Sequence, residues 1–297
     1  MTTATPKPPS EFSTLESTRV SPADGIEFTV RWLPAERADA PVVLILPAMA
    51  MKARNYLALA KGLQAQGLSV ATVDLRAHGE ARPALGDHAD FGYREMIEID
   101  LPAIVSAVEE RFPDAPVHLF GHSLGGQLAL LFAAAEPGRI AGITVIGTGT
   151  VFWWAFGPRR WFEALSQIQW IGLKSRISGH WPGGVLIPAP MPGGVVIDWS
   201  IHSLTSYYRP RGTSRKYNTL LAALKLPVLV ISLDQDVLGP KSNVDFLVSR
   251  MPAARVTQWH IDEHSPIQHR DHFLWVKDAP AVAAGVAGWI TTGAQPV

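Results

Sequence analysis

Ser123 stands within Gly121-His122-Ser123-Leu124-Gly125-Gly126, the pattern G-x-S-x-G. An apolar run (117–120) precedes it and a helix-like run (127–135) follows it. A serine at the apex of such a turn, flanked by residues without Cβ atoms, is held strained and exposed, ready to attack an acyl carbon. The amide of Leu124 would then lie at a helix N-terminus, where negative charge is favoured, and serve as one oxyanion donor. Acyl transfer further requires a base in hydrogen-bond reach, an acid that orients the base, and a second oxyanion donor.

In an open parallel sheet these groups must come from loops at the carboxyl ends of strands. The loop at 147–150 has no carboxylate, whereas the loop after 227–232 holds Asp234 and Asp236. Asp236 lies further along that turn, ahead of Pro240, and is the preferred acid. In the alternative Asp234 takes that place; otherwise it caps the turn or braces the loop. The loop after the last strand carries His264, His269 and His272. His272 directly precedes the final helix, with Phe273 behind it as an anchor, and is the preferred base. His264 and His269 read as loop-surface or substrate-contacting residues. No second cluster of carboxylates accompanies these histidines, so no metal is expected. His122 reads as a packing residue. The second oxyanion donor must be a backbone amide of 47–51, with Met49 preferred and Ala48 in reserve. Met49 and Met51 are also expected against the acyl group, because thioethers adapt to variable apolar shapes.

The elements that must position these residues follow from patterning. Of the 297 residues, 47% are hydrophobic and 18% charged, which describes a globular chain with a large core. Net charge is zero, so no field recruits nucleic acid or an anionic surface. The absence of cysteine excludes disulfides and thiolate chemistry. With no signal-like or membrane-spanning run, a cytoplasmic location without a membrane anchor is expected. Residues 1–12 read as a disordered Pro-rich lead, and 13–33 as two extended segments joined by Ala23-Asp24-Gly25. Strands at 41–46, 68–73, 117–120 and 140–146 alternate with helices at 56–66, 93–111 and 124–135. This is the rhythm of a doubly wound, mostly parallel α/β sheet. It resumes with strands at 227–232 and 255–261, a helix near 242–249, and a final helix from about 273 to 289 ahead of a frayed end.

Between them, 151–225 breaks the rhythm. It holds six of the ten tryptophans, and nine Lys/Arg against Glu163 and Asp198. The expected organisation is a core domain of 13–150 and 226–290, with 151–225 inserted as a cap. At least half of its tryptophans should form the cap's own core. Trp153 and Trp154 are expected to wall the substrate cleft, together with the apolar run 186–191. Arg209 and Arg211, grouped with Arg215 and Lys216, read as a solvated face or as the partners of an anionic substrate group.

The motif at Ser123, the later Asp-Gln-Asp-Val-Leu-Gly-Pro and the terminal His-Phe occur in the order Ser, Asp, His. That order resembles the α/β-hydrolase superfamily. Asp74-Leu75-Arg76-Ala77-His78-Gly79 is similar to the Asp-x-Arg-Gly-His-Gly segment of its serine-aminopeptidase and lysophospholipase-like branch. The resemblance covers about 40–290. Two departures stand out: Ala77 replaces a glycine, and Pro47-Ala48-Met49 replaces the branch's frequent His-Gly-x. It implies an α/β-hydrolase fold with an inserted cap and a cofactor-free serine hydrolase. Its substrate would be a small carboxylic ester or thioester with a mostly apolar acyl group. Two alternatives share the scaffold: an acyltransferase, lyase or cyclase of small-molecule biosynthesis, and a non-catalytic ligand-binding protein. Oligomeric state is not legible.

Overall fold

The computed structural model describes residues 10–85, 90–184 and 186–296. The apolar run after Pro41 becomes β3 (Val42–Leu46), every residue of which is buried. Val42, Leu44 and Leu46 enter one hydrophobic cluster and Val43 and Ile45 the other. Residues that alternate between two buried faces are why a central parallel strand reads as continuous apolarity.

Around β3 the sheet is built from β1 (Ser17–Val20), β2 (Phe28–Leu33), β4 (Ser69–Thr72), β5 (Val117–His122), β6 (Gly142–Ile146), β9 (Pro227–Leu233) and β10 (Arg255–Ile261). Their order is β1-β2-β4-β3-β5-β6-β9-β10. The β1–β2 and β2–β4 pairs are antiparallel, and every later pair is parallel. Parallel neighbours place their carboxyl ends on one edge, where the chemistry-bearing loops gather. The helices are α1 (Leu57–Ala65), α2 (Tyr93–Glu95), α3 (Leu101–Arg111), α4 (Leu124–Ala135), α5 (Trp161–Ser178), α6 (Gly193–Thr205), α7 (Tyr217–Ala222), α8 (Lys241–Ser249) and α9 (Ala279–Thr292). A π-helical turn, Met96–Asp100, joins α2 to α3. A short hairpin of β7 (His180–Trp181) and β8 (Met191–Pro192) links α5 to α6.

Several sequence expectations need correction. Residues 1–9 of the lead lie outside the described residues, but Glu11–Thr14 forms a 3-10 turn with Phe12 buried. The Arg31 guanidinium lies over the Phe12 ring, 5.2 Å from its centroid, so this part of the lead is packed. The final helix starts at Ala279 with Pro280 in its first turn; a 3-10 turn, Leu274–Asp278, occupies the expected beginning. Beyond it the chain folds back, and Gln295 Nε2 donates to the Gln258 carbonyl at 3.3 Å. Of the six tryptophans between β6 and β9 only Trp181 is buried, while Trp154 and Trp170 are more than 60% exposed. That segment obtains its packing from Ile171, Ile187, Met191, Val195 and Tyr208, which join the main core. Among the described residues, no helix is long and apolar enough to cross a membrane.

Candidate active site

Ser123 is the residue between β5 and α4, with φ 52° and ψ −114°. A non-glycine residue in that region is strained and persists only where its surroundings impose it. Its amide donates to the Ile146 carbonyl at 3.1 Å, and its carbonyl accepts from Gly126 and Gln127 at 3.0 and 3.1 Å. The glycines are steric necessities. A Cβ on Gly121 would lie 2.3 Å from Gly126 Cα, and one on Gly125 would lie 2.1 Å from the Leu46 carbonyl oxygen.

The loop after β9 brings Asp236 to His272. His272 Nδ1 and Asp236 Oδ2 are 2.7 Å apart, and both side chains are almost fully buried. The other oxygen of Asp236 accepts from the amides of Leu238 and Gly239 at 2.8 and 2.7 Å. A carboxylate bonded on both oxygens is rotationally fixed, and therefore fixes the imidazole. Asp234 instead pairs with Arg270 at 2.9 Å, bracing the two loops against each other. His269 Nδ1 is 3.0 Å from Asp278 Oδ2, and His264 is largely exposed beside Glu263. Of the three histidines only His272 faces the cavity that Ser123 lines. No group of residues suited to hold a metal ion occurs among the described residues.

Opposite the serine, 47–51 is shaped by Tyr56. The Ala48 amide donates to Tyr56 Oη at 2.9 Å, which occupies it and leaves Met49 as the cavity-lining residue of this loop. Tyr56 Oη is also 2.7 Å from His122 Nδ1, and Trp275 Nε1 approaches His122 Nε2 at 3.4 Å. His122 thus packs as expected, inside a polar cluster that joins the loop, the serine turn and the segment after His272. Burial above all, then the nearby His272, holds its pKa well below the ordinary range, so it is neutral. Met51 does not line the cavity; its sulfur accepts from the Tyr56 hydroxyl at 3.3 Å. Behind the loop, Asp74 accepts from the amides of Ala53 and Glu80 at 2.7 and 2.8 Å, tying it to the turn after β4.

The cavity, counted together with the open space at its mouth, spans about 820 Å³. Gln127, a buried polar exception in apolar α4, lies in its floor. It accepts from the Tyr93 hydroxyl and donates to the Gly149 carbonyl, each at 2.7 Å. Thr150 Oγ1 donates to buried Asn243 at 3.0 Å, Ser242 Oγ to the Ala155 carbonyl at 2.7 Å, and Arg160 to the Val237 carbonyl at 2.8 Å. These bonds fasten 150–160 to α8 and to the acid-bearing loop. Sequence reasoning missed Tyr56, Gln127, Asn243 and Arg160. Gln127 alone carried a signal, as a polar residue inside an apolar helix.

Of the walls expected from the segment between β6 and β9, Leu186 and Ile187 of the run 186–191 line the cavity, and the named tryptophans and arginines do not. Trp153 and Trp154 do not line the cavity but pack on each other, with ring centroids 5.3 Å apart; Trp199 of α6 lines it instead. Arg209 lies over the Tyr207 ring, and Arg211 bonds Asp90 at 3.0 Å. Neither faces the cavity, because each is held by a partner away from it.

An eight-stranded, mostly parallel sheet, a strained serine between its central strand and helix, and an aspartate and a histidine paired on later loops make up the α/β-hydrolase fold. Residues 41–169 match the family model described as alpha/beta hydrolase fold. Human monoglyceride lipase is 34% identical over 92 residues, which is 31% of this chain and 29% of that protein. The chain therefore matches less than a third of that relative's length. Among solved structures, mouse alpha/beta hydrolase domain-containing protein 10 superposes with a TM-score of 0.66 at 14% identity, over 94% of this chain and 100% of that one. Est1E from Butyrivibrio proteoclasticus, bound to ferulic acid, gives 0.64 at 15% identity, over 92% and 97%. At those identities the structural likeness establishes the fold.

Proposed function

We propose that the chain is a serine hydrolase that cleaves a carboxylic ester or thioester with a mostly apolar acyl group. The observation that carries this reading is the 2.7 Å contact of Asp236 with His272 at a cavity that strained Ser123 also lines. Ser123 Oγ attacks the carbonyl carbon while His272 Nε2 takes its proton. The imidazolium, held by Asp236, then returns the proton to the leaving group. Water, deprotonated by the same imidazole, releases the acid from the acyl-enzyme. The Leu124 and Met49 amides hold the oxyanion, and such a donor contributes about 3–4 kcal/mol to the transition state. The segment from 151 to 216 roofs the cavity, whereas α7 packs on α4 and belongs to the core. The name of the relative, a monoglyceride lipase, favours ester substrates. A cytoplasmic site of action and a small-molecule acyl substrate belong to the same reading.

Replacing Ser123 by Ala should abolish both ester turnover and labelling by a fluorophosphonate probe. Purified S123A protein that still turned over esters would refute the reading. Competing alcohols in the assay separate hydrolysis from acyl transfer, because a transferase would yield the new ester in place of the free acid.

A further inference from the structure

The polar edge of the cavity bears on what the site accepts, given the hydrolase reading above. Arg160, Glu163 and Gln167 stand on the same side of the roof as Ala164 and Ile168, and all five line the cavity. Spacings of three and four residues bring side chains onto one helix face, so this side of α5 is apolar along one edge and polar along the other. Across from it, Leu186, Ile187 and Trp199 offer apolar contact. The polar edge is internally compensated. Arg160 Nη1 donates to the Val237 carbonyl at 2.8 Å, and its Nε lies 3.7 Å from Glu163 Oε2. The other oxygen of Glu163 accepts from Gln167 Nε2 at 3.2 Å.

Among the described residues that line the cavity, Arg160 is the one Lys or Arg and Glu163 the one carboxylate. Of the other basic residues in this segment, Arg211 pairs with Asp90 and Arg215 with Glu136, away from the cavity. We propose that Glu163 is a specificity-determining residue: by neutralising Arg160 it makes the cavity select esters whose far end is neutral and hydrogen-bonding, and reject those ending in a free carboxylate. A hydroxyl or amide finds both acceptors, on Glu163 and Gln167, and donors, on Arg160. A carboxylate approaching Arg160 meets Glu163 at nearly the same distance, and the repulsion cancels the attraction.

The test uses two esters of one acyl chain, ending away from the scissile bond in a primary amide or in a carboxylate. The readout is the ratio of their kcat/KM values at pH 7.5. Wild type should favour the amide. Glu163→Gln should move the ratio towards the carboxylate by about fivefold to tenfold, as one charge contact at a half-exposed site provides, and added salt should shrink that shift. Arg160→Gln should move the ratio the other way. An unchanged ratio in Glu163→Gln, or a wild type that labels with the fluorophosphonate probe but cleaves neither ester, overturns the inference alone. A wild type that neither labels nor cleaves overturns the hydrolase reading beneath it.

Discussion

Tyr56 places one hydroxyl where three parts of the molecule meet: the Ala48 amide, the His122 ring and the Met51 sulfur. Removing that oxygen leaves buried polar groups without a partner, which costs about 1–3 kcal/mol of stability. It also frees the loop that carries the Met49 amide. Tyr56→Phe should therefore lower kcat by about tenfold with KM nearly unchanged, since about 1.4 kcal/mol of transition-state binding is a factor of ten. A drop confined to KM would show that Tyr56 shapes the pocket and not the oxyanion site. The two aspartates make a sharper pair. Asp236→Asn keeps the shape but favours the wrong imidazole tautomer, and kcat should fall by about 10⁴-fold. Asp234→Asn loosens only a partly exposed pair with Arg270. Its effect on kcat should stay within about threefold, with at most about 1 kcal/mol lost in stability. Reversal of that order would move the acid to Asp234. Ser123 was legible in the sequence because its turn demands glycines at fixed offsets, and His272 was favoured by the aromatic that follows it. Tyr56 was not, because a tyrosine at the start of a helix has no spacing that reveals what its hydroxyl meets in three dimensions.

Among the elements, the strands were the most legible, since burial on both faces writes itself as uninterrupted apolarity. The tryptophans between β6 and β9 misled for a related reason. An amphipathic ring can lie across a surface and still be favourable, so aromatic density does not by itself mean a buried core. Ala77, in the turn after β4, has φ 61°, a left-handed conformation that is costly for any residue with a Cβ. Ala77→Gly should relieve that strain and stabilise the fold by up to about 1 kcal/mol, after allowing for the greater freedom of glycine in the unfolded chain. Thermal denaturation measures this directly, and a lower midpoint in the variant would mean that the methyl group packs usefully against the core.

Among the described residues, burial holds His118, His122 and His202 neutral. Desolvation pushes His118 down to about 4 and His202 down to about 3, and His122 also lies well below its ordinary value. A histidine whose folded pKa is depressed below 6.5 binds fewer protons folded than unfolded. Its contribution is therefore intact above pH 6.5 and is lost as pH falls below that value. At pH 5 each such imidazole should cost about 2 kcal/mol, so the denaturation midpoint should drop steeply between pH 6.5 and 5. A stability profile flat across that interval would mean that these rings find proton acceptors inside the fold.

The path of the chain between β6 and β9 has an evolutionary consequence. β6 and β9 are parallel neighbours, and α7 alone, packed on α4, is enough to cross between them. On the reading proposed above, residues 151–216 are an elaboration of one crossover, a cassette that could be exchanged for another without re-registering a strand. Its freedom is bounded by the bonds of Asn243, Ser242 and the Val237 carbonyl to Thr150, Ala155 and Arg160. A transplanted roof that arrived without matching partners for those three would sit loose over a correctly built serine, and would change what the protein accepts before it changed what the protein does.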